Sequence, residues 1–415
     1  MKTKFLLFIL LIPLSAFSQK IDFVKQLTFT DSTRVKAKIP FKLINNLIII
    51  PVCINDSDSL NFILDSGASF TLLSNAALAQ SLGVQKVRSY SLKGLGNNFN
   101  LTAWTSTSNK VELPYIEGYN QDIIFPEIDL KLGENMGIPI HGVIGYGVFN
   151  DFIVRINYFK KYLQLYKRSY YQQKKQDKFR KKYDAFPISI EGRRAYIESY
   201  LLSNTDSQRV KLLIDSGSSH LLSLFKESSK NISIPEKSTY TFLGTGIGGN
   251  ILGHIAKSKS TLFENINMGD VYISYPDSNF INYQLIKNDR NGSIGANFLR
   301  HFDVVIDYES QELLMKQREK FRDVNSYNLT GLNLIMPYPP VRFYSVEFVG
   351  ENSAAASAGF QKDDVILEIN NKSTFFMAFE EVQSYLKMEG KKVNFLIERN
   401  EKKVLITMTL PVPST

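Results

Sequence analysis

Apolar residues in this chain come in short bursts. Up to about residue 320 they form runs such as LIIIPVCI (47–54), LQLY (163–166), KLLID (211–215) and DVVID (303–307), many with two-residue alternation, broken by Gly and Asn/Asp clusters. Runs of that length bounded by turn residues predict β-strands. Helical periodicity is confined to short pieces such as SNAALAQSLG (74–83). Past residue 325 the pattern changes. VRFYSVEFVGENSAAASAGFQKDDVILEINN predicts a strand, a small-residue turn or short helix, and a second strand. FFMAFEEVQSYLKMEG predicts an amphipathic helix, and KVNFLIER with KVLITMTL a closing hairpin around Asn400 and Glu401.

The pattern also repeats at one fixed offset. FILDSGASFTLLS (62–74) is echoed by LLIDSGSSHLLSL (212–224), 150 positions on. Gly94 and Gly96 correspond to Gly244 and Gly246, and Gly142, Ile144 and Gly145 to Gly292, Ile294 and Gly295. FIVRINYFKKYLQLY (152–166) then matches FDVVIDYESQELLMK (302–316) at the same spacing. An offset held constant over so long a span implies duplicated lobes, here 19–166 and 185–320. They are joined by a basic linker at 167–184 and followed by a small domain at 326–415, within the usual domain size range.

Length and composition agree: 415 residues suggest two or three domains, and 44% hydrophobic with 21% charged residues is a globular balance. The net charge of +9 is largely local, since KRSYYQQKKQDKFRKK (167–182) holds eight basic residues. Without base-stacking aromatics on a recognisable module, that stretch reads as a solvated linker or helix, not a nucleic-acid site. The first 18 residues, MKTKFLLFILLIPLSAFS, carry a basic start, an apolar run and small residues before Gln19, the pattern of a cleaved secretory signal. No later stretch is long enough to span a bilayer as a helix. Export to the periplasm of a Gram-negative bacterium, or beyond the cell, is the expectation. Cys53, the only cysteine, cannot form an internal disulfide and sits in an apolar strand.

The chemistry lies in the repeated Asp-Ser-Gly. One copy reads as a turn, in which Asp caps an N–H and Gly supplies a positive φ. Two copies at equivalent places in duplicated lobes would bring Asp65 and Asp215 together. Carboxylates about 3 Å apart cannot both ionise cheaply, so one proton is shared and the pair titrates as a unit. The ionised member can take a proton from water while the protonated member polarises a carbonyl. Such chemistry needs neither metal nor cofactor. The four histidines, His141, His220, His254 and His301, show no zinc-ligand spacing. No GxSxG elbow is present, and the glycines at 244–249 lie in a β-rich stretch without a following helix, so serine-nucleophile and dinucleotide chemistry are disfavoured.

Over residues 40 to 317 these features resemble the aspartic peptidase family, each lobe looking like a retropepsin subunit. The resemblance rests on DSGAS, DSGSS, the glycine-rich stretches about thirty residues later, and VIGYGVF with SIGANFL. It implies a mainly β fold of two tandem retropepsin-like β-barrel lobes with pseudo-twofold symmetry. Asp65 and Asp215 would be catalytic. Ser66 and Ser216 would cross-link the active loops, and Gly67 and Gly217 would let backbone approach the carboxylates, with Ala68 and Ser218 completing the loops. It further implies flaps over a bound peptide, TGIGGNILGHI (245–255) with Gly246, Gly248 and Gly249, and GLGNNFNLTAW (94–104) with Gly94 and Gly96. A hydroxyl following the triplet can favour the ionised carboxylate, and Ala68 offers none, so Asp65 is the expected proton holder.

GENSAAASAGFQKDDVILEINN resembles a PDZ domain, a small α+β module. That implies a peptide C-terminus bound at Gly331, Leu332, Asn333 and Leu334, with the peptide added as a strand. Asn333 and Asp363 replace glycines of that family's wording. The expectation is thus an exported, monomeric aspartic endopeptidase acting on peptide or protein substrates. The rival is a non-catalytic peptide-binding scaffold on the same fold.

Overall fold

The computed structural model describes residues 25–96, 101–203, 206–282, 289–321 and 327–412. The expected leader, 1–18, lies outside the described residues. The fold is mainly β. In the first lobe, Leu60–Leu64 runs parallel to Gly142–Ile144, pairing Phe62 with Gly142 and Leu64 with Ile144. In the second, Asp206–Asp215 runs parallel to Gly292–Gly295, pairing Leu212 with Gly292 and Ile214 with Ile294. The register is identical under the 150-residue offset. Leu60–Leu64 ends just before, and Asp206–Asp215 at, one Asp-Ser-Gly.

The lobes are more than two bodies on a linker. Strands Lys36–Pro40, Tyr162–Tyr166, Ile153–Asn157, Phe302–Asp307, Glu312–Gln317 and Asp184–Glu191 follow one another in a continuous antiparallel run. At its centre Arg155 faces Val305, its own counterpart 150 positions on, flanked by Val154 against Ile306 and Ile156 against Val304. The strands that close the two lobes thus share one sheet. Buried between them, Asp303 receives two hydrogen bonds from Arg155 at 2.8 and 2.6 Å, and one each from Arg318 and Asn157 at 3.1 Å. The helical option for the basic linker is the observed one. Arg168–Lys174 and Gln176–Arg180 are short helices whose Tyr171 and Phe179 are buried with Ile153, Val305 and Leu314. Their lysines face solvent because the aromatic residues take the inner side.

Asn75 caps the short helix Ala76–Ser81 by accepting from the Leu78 N–H at 2.8 Å, within the predicted stretch. The C-terminal domain has its own core, in which Leu334, Val346, Ile366, Val382, Phe395 and Met408 pack together. Its hairpin, Lys392–Arg399 with Lys402–Thr409, turns at Asn400 and Glu401, both at positive φ, as predicted. The amphipathic helix is shorter than expected, Phe379–Tyr385, since Thr374–Phe376 forms a separate 3₁₀ turn. Asp363, standing where a glycine was expected, has a φ of 69°. The adjacent Asp364 is buried and takes two hydrogen bonds from Arg399, each 2.6 Å.

Candidate active site

Both Asp-Ser-Gly loops are pinned from below. Asp65 donates its N–H to the Ile144 carbonyl at 2.9 Å. Tyr146 N–H donates to the Ala68 carbonyl at 3.0 Å, and at the same offset Ala296 N–H donates to that of Ser218 at 2.7 Å. Gly145 and Gly295 allow this approach: a Cβ on the first would overlap the Asp65 carbonyl oxygen, and one on the second that of His220. The repeated Gly pairs of the sequence are therefore seats for the active loops.

The loops are also laced to each other. Ser66 N–H donates to Ser216 Oγ at 3.0 Å, and Ser216 N–H to Ser66 Oγ at 3.0 Å. Each hydroxyl then donates across to the opposite strand, Ser66 to the Ile214 carbonyl at 2.7 Å and Ser216 to that of Leu64 at 2.9 Å. Both serines are fully buried. Such reciprocal bonds hold the two carboxylates at a fixed separation. A Cβ on Gly67 would lie 3.1 Å from Asp65 Oδ1 and 3.2 Å from Asp215 Oδ1, and one on Gly217 would overlap the Asp65 carboxyl group. The structure therefore brings the carboxyl groups of Asp65 and Asp215 next to each other.

Their electrostatics follow. Asp65 keeps a partial opening to solvent but lies largely among protein atoms. Burial, then the neighbouring Asp215 charge, push its carboxyl up to about 8, against the pull of the Gly67 N–H, which donates to Oδ1 at 2.6 Å, and of the Arg194 charge. Asp65 is thus placed to hold a proton near neutrality.

The glycine-rich stretches of the two lobes meet each other. Ser238–Gly246 and Gly249–Phe263 make a hairpin in which Gly246 pairs with Gly249. Its tip meets Gly94–Gly96 of the first lobe. Gly248 N–H donates to the Leu95 carbonyl at 2.9 Å, a Cβ on Gly246 would overlap that oxygen, and one on Gly96 would overlap Gly248. Residues 97–100, part of the first-lobe flap reading, lie outside the described residues. The glycines at both tips are required by this close backbone contact.

Gly331, Leu332, Asn333 and Leu334 form a separate set in the C-terminal domain. The last three are buried, and Leu332 N–H already donates to Thr330 Oγ1 at 3.1 Å. Beyond the strand Leu332–Ile335, Met336 N–H donates to the Glu134 carbonyl of the first lobe at 2.9 Å. A Cβ on Gly137 would come 2.7 Å from that of Phe379, the first residue of the facing helix. His220, which sequence reasoning did not count among the site residues, bonds Ser218 and Ser293 and lies within electrostatic reach of Asp215, a placement that the fixed offset could have flagged, because the first lobe has Phe70 and Val143 there.

Residues 50–148 match the family model for aspartyl protease, and residues 346–399 that for the PDZ domain. The chain carries an aspartyl-protease-like domain and a PDZ domain. Asp65 lies inside the matched protease segment and Asp215 outside it. No curated protein matches the chain. Among the described residues no helix is long and apolar enough to cross a membrane, and no group of three His, Cys, Asp or Glu side chains is placed to hold a metal ion.

Proposed function

We propose that this is an exported aspartic endopeptidase in which two lobes of one chain each supply a carboxylate. The observation that carries the reading is the reciprocal Ser66–Ser216 lacing of the two Asp-Ser-Gly loops, with Gly67 packed against both carboxyl groups. Asp215, ionised, takes a proton from a water held between the carboxylates, and the resulting hydroxide adds to the scissile carbonyl carbon. Asp65 donates its proton toward the carbonyl oxygen. Collapse of the tetrahedral diol breaks the C–N bond, as the proton held on Asp215 passes to the leaving nitrogen and one diol hydroxyl returns its proton to Asp65. Water is the only co-reactant. An extended peptide would lie across the cleft, bonded by flap backbone, and the flap tips must part to admit it. Both carboxylates come from one chain, which supports a monomeric enzyme. The composition of residues 1–18 supports export.

The PDZ domain is proposed to take a peptide tail along Leu332–Ile335. Such a tail would leave the groove where residues 133–137 sit on Met336 and Phe379, so a long tail must displace that segment. A non-catalytic scaffold is the rival reading, disfavoured because both Asp-Ser-Gly triplets are intact. Digestion of a peptide library with and without a statine-type inhibitor separates the two. Inhibitable cleavage supports the peptidase, and peptide binding without cleavage supports the scaffold.

A further inference from the structure

Behind the two active loops the surroundings differ sharply. In the second lobe Ser218 Oγ bonds His220 Nδ1, and His220 Nε2 lies 3.0 Å from Ser293 Oγ and 3.3 Å from the Ser293 carbonyl oxygen. The same three places in the first lobe, 150 positions earlier, hold Ala68, Phe70 and Val143, which belong to an apolar cluster. One carboxylate is backed by a chain of polar groups and the other by hydrocarbon.

A neutral imidazole has one donor and one acceptor, so this chain can run in either direction. With the proton on Nε2, His220 donates to Ser293, and Ser218 donates to Nδ1. With the proton on Nδ1, the Ser293 hydroxyl donates to Nε2 and Nδ1–H donates to Ser218 Oγ, leaving the Ser218 proton free to turn toward Asp215. A negative charge on Asp215 selects the second arrangement, because all its dipoles point at that charge. Ala68, Phe70 and Val143 can make no such response to a charge on Asp65.

We infer that His220 is a positioning residue that, with Ser218 and Ser293, fixes Asp215 as the ionised member of the pair and Asp65 as the proton carrier. This rests on the peptidase reading and assigns its two carboxylates separate roles. Other ionisable groups that interact electrostatically with the pair are Arg194, Arg290 and Tyr308, and their positions are common to both arrangements of the chain. They do not select between the arrangements.

The triple variant Ser218→Ala/His220→Phe/Ser293→Val gives the second lobe the first lobe's residues. With a fluorogenic peptide chosen from the library digest, the acid limb of its pH profile should move up by about one unit, with kcat roughly tenfold lower. KM should change little. His220→Gln, which keeps a donor and an acceptor, should retain most of the wild-type profile and guards against a folding defect in the triple variant. ¹³C-carboxyl NMR of Asp-labelled protein reads the same asymmetry without substrate: one carboxyl titrates well below the other in the wild type, and the gap narrows in the triple variant. Coincident carboxyl titrations in the two proteins would overturn the assignment even if the wild type cleaves nothing. An unmoved acid limb in an active, folded triple variant would overturn it too.

Discussion

Replacing Ser66 by Ala tests the lacing between the lobes. The change removes two hydrogen bonds, the one the Ser66 hydroxyl donates to the Ile214 carbonyl at 2.7 Å and the one it accepts from the Ser216 N–H at 3.0 Å. Neither backbone group can turn to solvent, because the serines sit fully buried between the two active loops. An orphaned buried donor or acceptor costs about 1–3 kcal/mol, so two cost roughly 2–6 kcal/mol, with little cavity contribution from one lost oxygen. At about 2–4 °C per kcal/mol for a large domain, the melting transition of the two lobes should fall by roughly 4–24 °C. Differential scanning calorimetry resolves that transition from the PDZ domain, whose separate core gives an internal reference. Ser216→Ala should lose a similar amount, since its two bonds go to Leu64 and Ser66 in the same way. A fall under about 2 °C in either variant would show that the hydroxyls add nothing beyond packing, and the argument that they set the carboxylate separation would fail.

Three further outcomes follow. Asp65 must be protonated to act and its carboxyl is pushed up to about 8, so turnover should decline as pH rises through that value. Ala68→Ser, by adding a hydroxyl that favours the ionised form, should shift this alkaline limb acid-ward, and a pH–rate profile in which it stays put would refute the role given to Ala68. Gly246→Ala places a methyl group on the Leu95 carbonyl oxygen. An overlap costing about 1–3 kcal/mol should lower kcat/KM roughly tenfold or more without changing the melting temperature of the PDZ domain. Burial opposes ionisation of Asp303, yet Arg155 and Arg318 together hold it below the usual carboxylate range. Its stabilisation is present above the ordinary Asp pKa and lost as pH falls through the lower folded value. Asp303→Asn, which breaks a buried pair, should therefore cost about 3–5 kcal/mol at neutral pH by calorimetry.

Most of the β architecture was legible because its signals are local. Alternating strands, turn glycines and a constant offset require no knowledge of distant contacts, and the offset alone placed Asp65 and Asp215 in equivalent loops. What escaped was non-local or hidden in composition. Nothing in residues 152–166 announces that Arg155 will face Val305, because that pairing joins segments 150 positions apart. Tyr171 and Phe179 are embedded among lysines, so the basic stretch read as solvated as readily as helical, although its aromatic residues cover Ile153 and Val305. The PDZ helix was overextended because Phe375 and Phe376 fit an apolar period, yet both are exposed in the turn before it. The setting of His220 escaped for a related reason: its partner Ser293 lies 73 residues away, and only comparing the lobes position by position at the 150-residue offset shows that the first lobe lacks the pair.

The central claim, that Asp65 and Asp215 jointly activate water, is tested most directly by the single-turnover cleavage rate of one library-derived peptide by wild type, Asp65→Asn and Asp215→Asn, each confirmed folded by circular dichroism. The account predicts that each substitution lowers the rate by about a thousandfold or more while peptide affinity persists. Cleavage by Asp215→Asn at the wild-type rate would contradict it.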